Sequence, residues 1–308
     1  MSDHRILSLL PAATEIVCAL GFEKKLVGRS HECDFPETVR QLPVCSEANF
    51  QDNLSSADID KKVKDLLFNA LSIYTINREL INELAPDIVI TQAQCEVCAV
   101  SLDEVESALN DDLASVAKII SLQPNSLGDI YDNIREVAAA LGAEADAEQL
   151  IEELDERVGI IRHKLKYIET KPRIACIEWL EPLMVSGNWI PELVGIAGGI
   201  SILAEPGKHS HFVRWAEIQQ ADPDIILVMP CGFSIERTIK EIHLLLQLPG
   251  FADLKAIKNN RLYIADGNQY FNRPGPRIVD SIEILAEIIN PKQFIFGYEG
   301  NGWVKFTV

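Results

Sequence analysis

The sequence contains no run of the roughly 18 uninterrupted apolar residues that a membrane-spanning helix requires. The apolar stretch near the amino terminus also lacks the pattern of an export signal. An export signal begins with basic residues, and Asp3 places a negative charge there. Pro11 and Glu15 interrupt the apolar run. Ile16 and Val17, just before Cys18, are not the small residues that a processing site needs. We therefore expect a cytoplasmic chain with no transmembrane segment.

Basic residues are scarce relative to acidic ones, with 28 Lys and Arg against 46 Asp and Glu and a formal net charge of −18. A chain of this charge repels phosphate backbones and anionic lipid surfaces. Nucleic acid and membrane insertion are therefore not expected.

The sequence signatures of common enzymes are absent as well. There is no Gly-x-x-x-x-Gly-Lys-Ser/Thr loop, no Gly-x-Gly-x-x-Gly after a strand and no Gly-x-Ser-x-Gly elbow. We expect no catalytic residues, and the sequence favours a binding protein over an ATPase or a dehydrogenase.

Short apolar runs alternate with helical patterns on both sides of a long helical segment. The predicted strands are Arg5 to Leu10, Leu26 to Ser30, Ile88 to Gln92, Lys118 to Ser121, Arg173 to Trp179, Asp224 to Pro230 and Arg261 to Asp266. Strands that alternate with helices are typical of doubly wound parallel sheets. We predict an α/β protein with two such lobes, residues 1–125 and 169–308, and a ligand cleft between them.

The long helical segment covers residues 126–168. Its apolar residues recur at three- and four-residue spacings, which places them on one face of a helix. The pattern predicts one long linking helix, or two consecutive helices if Gly142 interrupts it. A single helix of this length would join the lobes as a stiff connection.

One helix-to-strand junction is repeated along the chain. Ala-Pro-Asp-Ile-Val-Ile occupies residues 85–90, and Asp-Pro-Asp-Ile-Ile-Leu occupies residues 222–227. The repetition indicates that the two lobes are distant structural repeats.

Candidate ligand-binding residues collect after the predicted strands, where open parallel sheets bind their ligands. These residues are Trp179, Glu181, Asn188, Trp189, His211, Phe233, Tyr270, Phe271, Asn272 and Arg273. Aromatic side chains in loops suit a flat, partly apolar ligand. Burial in the core is the alternative for these aromatic residues.

A second set of residues has the chemistry of a metal site. Cys95 and Cys98 precede the helix-opening sequence at 101–104, and a helix amino terminus lowers the pKa of a nearby thiol. Together with His31 and Cys33 they form a set of three sulfur ligands and one nitrogen ligand that zinc accepts. We consider zinc or iron as the ion, and a thiol redox pair or simple loop packing as alternatives.

With these residues identified, the chain resembles the periplasmic binding proteins of cobalamin and ferric-siderophore importers. The resemblance rests on residues 5–16, Arg-Ile-Leu-Ser-Leu-Leu-Pro-Ala-Ala-Thr-Glu-Ile, and on the repeated junctions. Residues 181–193, Glu-Pro-Leu-Met-Val-Ser-Gly-Asn-Trp-Ile-Pro-Glu-Leu, are nearest to the cobalamin-binding branch.

The resemblance implies two lobes joined by a rigid helix and a corrinoid such as cobalamin, or a similar metal chelate, as the ligand. It adds Pro11, Ala12 and Ala13 to the ligand-binding candidates. It also implies that a histidine, either His31 or His211, supplies an axial ligand to cobalt.

Two features depart from the family pattern. Members are normally exported, whereas no export signal is recognised here. Members also carry a glutamate on each lobe for docking to the permease. Glu79 fits the first position, but Ala216 stands at the second, with Glu217 beside it. We therefore expect a cytoplasmic relative with a small-molecule ligand, for which docking to an ABC importer is doubtful.

Overall fold

The structure is a computed structural model that describes residues 4–49, 54–68, 73–92, 105–106, 109 and 117–308. It contains two compact units. Unit 1 comprises Met1–Leu54, Lys61–Pro124 and Gly128–Glu153, and unit 2 comprises Ser55–Asp60, Asn125–Leu127 and Leu154–Val308. None of the helices in the described part of the chain combines the length and apolarity needed to cross a lipid bilayer.

The amino-terminal half of the chain builds the sheet of unit 1. Its strands are β1 (Ile6–Ser8), β2 (Leu26–Arg29), β3 (Ser46–Ala48), β4 (Tyr74–Ile76), β5 (Ile88–Gln92) and β6 (Lys118–Leu122). The helices of this part of the chain are α1 (Pro11–Ala19), α2 (Ser56–Phe68), α3 (Arg78–Leu84), α4 (Leu127–Leu141) and α5 (Glu144–Leu165). Helices α2, α4 and α5 also contain residues of unit 2. Four strands pair in parallel in the order β2-β1-β5-β6, while β3 and β4 form a separate antiparallel pair.

The carboxyl-terminal half builds the sheet of unit 2. Its strands are β7 (Arg173–Trp179), β8 (Met184–Val185), β9 (Ile200–Ser201), β10 (His211–Phe212), β11 (Ile225–Val228), β12 (Leu262–Ala265) and β13 (Trp303–Phe306). Its helices are α6 (Ile190–Ile196), α7 (Trp215–Ala221), α8 (Ile235–Glu241), α9 (His243–Leu246), α10 (Lys255–Lys258) and α11 (Ile278–Ile289). The sheet order is β10-β8-β7-β11-β12-β13, and β9 also pairs with β7.

The predicted α/β class with two parallel sheets is confirmed, with one correction. In unit 2 only β7, β9, β11 and β12 pair in parallel. The edges are antiparallel, because β13 pairs with β12 and β8 pairs with β7 and β10. Strands of two residues, such as β8 and β10, are too short to produce a periodic sequence pattern.

The parallel strands are buried on both faces, and this explains why their sequences are continuous apolar runs. In unit 1, Leu7 and Val89 lie in neighbouring strands with no solvent exposure, and both belong to the core cluster of that unit. In unit 2, Ala175 of β7 pairs with Ile226 of β11, and both are buried in the core cluster of that unit. Helices cover parallel strands of this kind on both faces, so residues on either side of the strand must be apolar.

The predicted repeat of the helix-to-strand junction is present. The residue that follows helix α3 is Ala85, with φ of 41°, and the residue that follows helix α7 is Asp222, with φ of 42°. Both are left-handed conformations that stop a helix. A proline follows each of them and cannot continue the helix.

The same hydrogen bonds stabilise both junctions. In unit 1, the backbone N–H of Arg5 donates to Asp87 Oδ1 at 2.8 Å. In unit 2, the backbone N–H of Arg173 donates to Asp224 Oδ2 at 2.8 Å. Each arginine side chain also donates to the carbonyl oxygen of the last residue of the helix before the junction. This residue is Leu84 of α3 in unit 1 and Ala221 of α7 in unit 2.

The segment at 126–168 contains two helices rather than one. Helix α4 ends at Leu141, and α5 begins at Glu144. Gly142 lies between them with φ of +67°, a left-handed conformation that interrupts the α-helix. The sequence pattern left this alternative open because the apolar spacing continues on both sides of the glycine.

Candidate ligand-binding site

The candidate site of unit 2 consists of the loops that follow three neighbouring parallel strands. We call residues 179–183, 230–237 and 266–277 the strand-end surface. Trp179 is the last residue of β7, and its indole N–H donates to the carbonyl oxygen of Glu181 at 3.2 Å. Its ring meets Phe233 edge-on, with centroids 5.2 Å apart. The structure therefore brings two of the predicted aromatic residues together.

Backbone hydrogen bonds join the second and third loops of this surface. The N–H groups of Gly267 and Asn268 donate to the carbonyl oxygen of Phe233 at 3.0 and 3.2 Å. Gly267 has to be a glycine here, because a Cβ atom would collide with the carbonyl oxygen of Pro230. The close backbone contact fixes the two loops relative to each other.

A π-helical turn, Gly267–Phe271, carries the predicted residues of the third loop. Asp266 caps it by accepting from the N–H groups of Asn268 and Gln269 at 3.0 and 2.7 Å. Burial raises the pKa of the Asp266 carboxyl group, against the lowering effect of these bonds. Tyr270 projects from this turn and is partly exposed. Turns of this type are common at functional sites.

Several predicted residues stabilise the loops from inside. Trp189 is 7% exposed and donates its indole N–H to the carbonyl oxygen of Phe271, which is fully buried. The side-chain amide of Asn272 donates to the carbonyl oxygen of Gly267 at 2.8 Å. Arg273 is 4% exposed and donates to Asn268 Oδ1 at 3.2 Å. Direct contact of these four residues with a ligand stays a prediction.

The sequence did not identify the polar contact beside Trp179. Glu178 is partly buried at the end of β7, and its Oε2 accepts from the hydroxyl of Ser210 at 2.9 Å. Ser210 in turn accepts from the backbone N–H of Gly187 at 2.9 Å. Burial raises the pKa of the Glu178 carboxyl group. The only signal in the sequence was a glutamate in an otherwise apolar strand.

The loop at 205–211 packs against the segment that carries Asn188. Asn188 has φ of 49°, its N–H donates to the carbonyl oxygen of Lys208, and its own carbonyl oxygen accepts from Gly207 at 2.9 Å. A Cβ atom at Gly187 would collide with the Lys208 carbonyl oxygen. His211, in β10 at the end of this loop, is exposed. Its imidazole is therefore accessible, as a ligand-binding role requires.

In unit 1, the predicted residues at the start of α1 are mostly buried. Pro11 opens the helix three residues after β1 ends and is partly exposed. Ala12 and Ala13 are 2% and 0% exposed. Of the three, only Pro11 has a substantial accessible surface in this structure.

The predicted metal ligands do not form a site within the described residues. His31 Nδ1 lies 3.0 Å from the Ser46 hydroxyl, and the imidazole ring packs near Tyr74. Cys33 is fully buried, and its sulfur lies 3.3 Å from the Ser30 hydroxyl. Burial raises the pKa of the Cys33 thiol, which disfavours the thiolate that metals bind.

The other two predicted ligands, Cys95 and Cys98, lie outside the described residues. Across the residues that are described, no group of three or more His, Cys, Asp or Glu side chains is arranged to hold a metal ion. The zinc or iron site is therefore not supported.

Two cavities of unit 2 lie away from the predicted residues. One, of about 460 Å³, is lined by α5 and α6 residues that include Arg162 and Ile196. The other, of about 260 Å³, is lined by residues that include Leu262 and Phe306. Neither contains a residue of the strand-end surface.

Comparison with known proteins gives a consistent family match. The family model described as periplasmic binding protein matches residues 6–268. An uncharacterized ABC transporter substrate-binding lipoprotein, YvrC of Bacillus subtilis, is 24% identical over 94% of this chain and 81% of its own length. A vitamin B12-binding protein of Vibrio cholerae is 25% identical over 94% of this chain and 90% of its own length.

Solved structures share the fold at low sequence identity. The periplasmic heme-binding protein RhuT from Roseiflexus sp. RS-1, in its apo form, has a TM-score of 0.69 and 24% identity, covering 94% of this chain and 99% of its own. The periplasmic vitamin B12-binding protein BtuF of Vibrio cholerae has a TM-score of 0.64 and 24% identity, covering 94% and 98%.

The expected cytoplasmic location is wrong. The matched relatives include a lipoprotein, and the solved structures with this fold include proteins described as periplasmic, which contradicts the expectation. The expectation rested on the residues around Pro11 and Glu15, and these belong to helix α1 of the fold. Residues that belong to the fold carry no information about how the chain is targeted.

Proposed function

The chain belongs to the periplasmic binding protein family, and we propose that it binds a corrinoid such as cobalamin, or another metal chelate of similar shape. The proposed contact region is the strand-end surface of unit 2. The coarser function, that of a solute-binding protein of the ABC importer type, follows from the family. The proposed role is binding, with no catalytic step.

The contact between Trp179 and Phe233 is the observation that carries this proposal. Trp179 is partly exposed, and the edge-on contact with Phe233 holds its ring in place. Tyr270 adds a second partly exposed aromatic residue on a loop that is bonded to the loop of Phe233. Rigid aromatic groups offer a large apolar contact area to a flat ligand at a low cost in conformational entropy. Relatives named for vitamin B12 and for heme bind ligands of this shape.

A titration with cyanocobalamin and with hemin tests the proposal. We expect calorimetric heat and a shift of the visible absorption bands with at least one of them. Trp179→Phe removes part of the aromatic contact area and the hydrogen bond that joins the ring to the Glu181 carbonyl oxygen, so it should weaken binding by about tenfold, which corresponds to about 1.4 kcal/mol. The absence of heat and of any spectral shift at about 100 µM of either chelate would contradict the proposal.

Trp215→Phe is the matched control for this substitution. Trp215 donates its indole N–H to the carbonyl oxygen of Pro249 and stacks on Phe251, and none of these residues belongs to the strand-end surface. The control variant should bind the chelate with unchanged affinity. An equal loss of affinity in both variants would indicate a general loss of folding instead of a lost contact.

The proposal includes an axial imidazole from His211 or His31. His211 is exposed, whereas Nδ1 of His31 lies within hydrogen-bond distance of Ser46. His211 is therefore the better supported of the two. His211→Ala should change the absorption spectrum of the bound chelate, and His31→Ala should not. The reverse pattern would assign the role to His31.

Delivery to an ABC transporter is part of the proposal, and the doubt about docking is not supported. The relative from Bacillus subtilis is named as an ABC transporter substrate-binding protein. Glu79 stays the candidate for a docking glutamate. Glu217 caps helix α7, because its carboxylate accepts from the N–H of Arg214 at 2.9 Å and from its side chain at 3.1 Å.

A further inference from the structure

The larger of the two cavities of unit 2 has the size of a small-ligand site. Its volume is about 460 Å³, within the roughly 300 to 1,000 Å³ that is usual for pockets that bind small molecules. It is lined by the last turn of α5, by the segment that follows α5, and by the carboxyl-terminal half of α6. We call this space the basic cavity, for the three basic residues that line it, Arg162, Lys166 and Lys171.

The charge of the basic cavity is opposite to that of the whole chain. Its lining carries three positive side chains, and among the described residues around it Glu192 is the only acidic one. The chain as a whole has a formal net charge of −18. A concave region of one sign of charge attracts ions of the opposite sign, so this part of unit 2 should attract anions.

Glu192 does not neutralise the basic side chains of the cavity. Its Oε2 accepts from the backbone N–H of Leu127 at 2.9 Å. Within the described residues, Glu192 forms no ion pair with any of the three basic side chains. The lining therefore leaves its positive charges without a carboxylate partner inside the cavity.

The contacts of the basic side chains outside the cavity are weak. Arg162 Nη1 lies 3.8 Å from Asp155 Oδ1, and both side chains are more than half exposed, so water screens this ion pair. The ammonium group of Lys166 lies 5.5 Å from the ring centroid of Tyr167. In the part of the chain that the structure describes, neither Lys166 nor Lys171 has an ion pair. Both ammonium groups are therefore available to an anion.

The dipole of helix α5 accounts for only part of this charge. Cations in the last turn of a helix are favoured by the partial negative charge of its carboxyl terminus. This effect explains Arg162 in the last turn of α5 and Lys166 directly after it. Lys171 follows the end of α5 by six residues, and the dipole effect falls off within the last turn. The helix end alone therefore does not explain the third cation.

Apolar side chains complete the lining of the basic cavity. Leu165, Ile168 and Ile196 are all partly buried there. Gly195 contributes no side chain, and a Cβ atom built on it meets no other atom within 4 Å. The cavity thus combines free space and an apolar wall with an excess of positive charge.

We propose that the basic cavity binds a small organic anion, a molecule with a phosphate or carboxylate group and an apolar part. The anionic group pairs with Lys166 and Lys171 through charge-assisted hydrogen bonds. Arg162 adds to the positive potential, and the apolar part of the ligand packs against the apolar wall. The site shares no described residue with the strand-end surface, so the proposal does not depend on chelate binding.

Calorimetric titration with four small molecules tests the proposal, in a buffer of low ionic strength without phosphate or carboxylate. Phenyl phosphate and benzoate carry the two anionic groups on an aromatic ring, benzyl alcohol has the ring without the charge, and inorganic phosphate has the charge without the ring. We expect at least one of the two aromatic anions to bind about tenfold more tightly than both reference compounds. The tighter of the two identifies the anionic group. Absence of binding by both at about 1 mM, or equal binding of all four, would overturn the proposal.

The double variant Lys166→Gln with Lys171→Gln tests the cations. It should weaken binding of the aromatic anion by about tenfold, because two charged partners are lost. The matched control is Lys61→Gln with Lys62→Gln, which removes the same charge from exposed positions of α2 and should leave affinity unchanged. Equal affinities of the two double variants would show that the anion does not pair with Lys166 and Lys171, and would overturn the proposal.

Gly195→Leu tests the cavity itself. The added side chain occupies the free space beside the glycine, so binding of the aromatic anion should fall by at least about tenfold. Leucine is a better helix former than glycine, so α6 should remain folded, and circular dichroism checks this. Gly159→Leu is the matched control, because Gly159 lies in α5, has open space around a built Cβ atom and does not line the cavity.

These outcomes are separable from those of the chelate titrations. A folded Gly195→Leu variant that binds the aromatic anion as tightly as wild type would overturn the basic cavity as its site. Chelate binding should be the same in wild type, in Gly195→Leu and in the double lysine variant. A wild-type protein that binds the aromatic anion but neither cyanocobalamin nor hemin would contradict the proposed function and support the basic cavity.

Discussion

The hydroxyl of Ser210 donates a hydrogen bond of 2.9 Å to the carboxylate of Glu178, and this bond attaches the loop at 205–211 to the end of β7. The same hydroxyl accepts from the backbone N–H of Gly187 at 2.9 Å. One side chain therefore satisfies two polar groups, a carboxylate and a backbone amide. The loop that presents His211 depends on it.

Ser210→Ala should lower the free energy of unfolding by about 1 to 3 kcal/mol, because it removes this donor from the partly buried carboxylate of Glu178. Urea denaturation followed by circular dichroism measures the change. Thr307→Ala, at an exposed position near the carboxyl terminus, is the control and should be within about 0.5 kcal/mol of wild type. Equal stabilities of Ser210→Ala and wild type would show that the bond does not stabilise the fold.

Glu178→Gln should change how stability depends on pH. The pKa of Glu178 is raised above its ordinary value of 4.5, so in the window above 4.5 the folded state binds more protons than the unfolded state. The contribution of Glu178 to stability therefore decreases as pH rises through this window. The unfolding free energy of wild type minus that of the variant should fall between pH 4.5 and 8.

Glu217→Gln is the control for that experiment. The hydrogen bonds from Arg214 lower the pKa of Glu217 below its ordinary value of 4.5. Its contribution is present above pH 4.5 and is lost as pH falls below it, so the corresponding difference should be flat between pH 4.5 and 8. A flat difference for Glu178→Gln as well would refute the raised pKa.

Gly142→Ala and Gly159→Ala should have opposite effects on stability. Gly142 has φ of +67° between α4 and α5, and an alanine there should cost about 1 kcal/mol. Gly159 lies inside α5 with open space around a built Cβ atom, so alanine should stabilise by about 0.5 to 1 kcal/mol. Thermal unfolding of the two variants measures whether each substitution raises or lowers stability. Stabilisation by Gly142→Ala would mean that the helix is continuous.

Gly187→Ala should displace the loop at 205–211, because its Cβ atom would collide with the Lys208 carbonyl oxygen. Overpacking of this kind costs about 1 to 3 kcal/mol. Gly195→Ala is the control, since a Cβ atom at this position in α6 meets no other atom within 4 Å. Proteolysis at Lys208 should become faster in Gly187→Ala only. Unchanged proteolysis would show that the loop tolerates the added methyl group.

The parts of the fold that were predictable from sequence are those with local signals. The junctions at 85–90 and 222–227 were recognisable because proline follows the end of a helix and an apolar run follows the proline. The buried parallel strands were recognisable from their continuous apolar residues. Strands β8 and β10 were missed because they contain two residues each, and their pairing is decided by contacts distant in sequence.

The candidate site was less predictable because side-chain direction is not a local property. His31 and Cys33 are two residues apart, yet the imidazole lies beside Ser46 while the thiol is buried beside Ser30. Trp189 looked like a loop aromatic after Gly187, but it is buried and bonds the backbone of Phe271. The partner in that hydrogen bond lies 82 residues further along the chain, which no local pattern reveals. The contact between Glu178 and Ser210 joins residues 32 positions apart.

The paired junctions also set how much of the chain each half needs before its first strand is fixed. Arg5 at the start of β1 bonds Asp87, 82 residues later, and Arg173 at the start of β7 bonds Asp224, 51 residues later. The amino-terminal end of the first strand of each half is therefore fixed by a residue far along the chain. The 82-residue separation in the first half is the longer of the two, so a truncation that removes Asp87 leaves the start of β1 without this hydrogen bond.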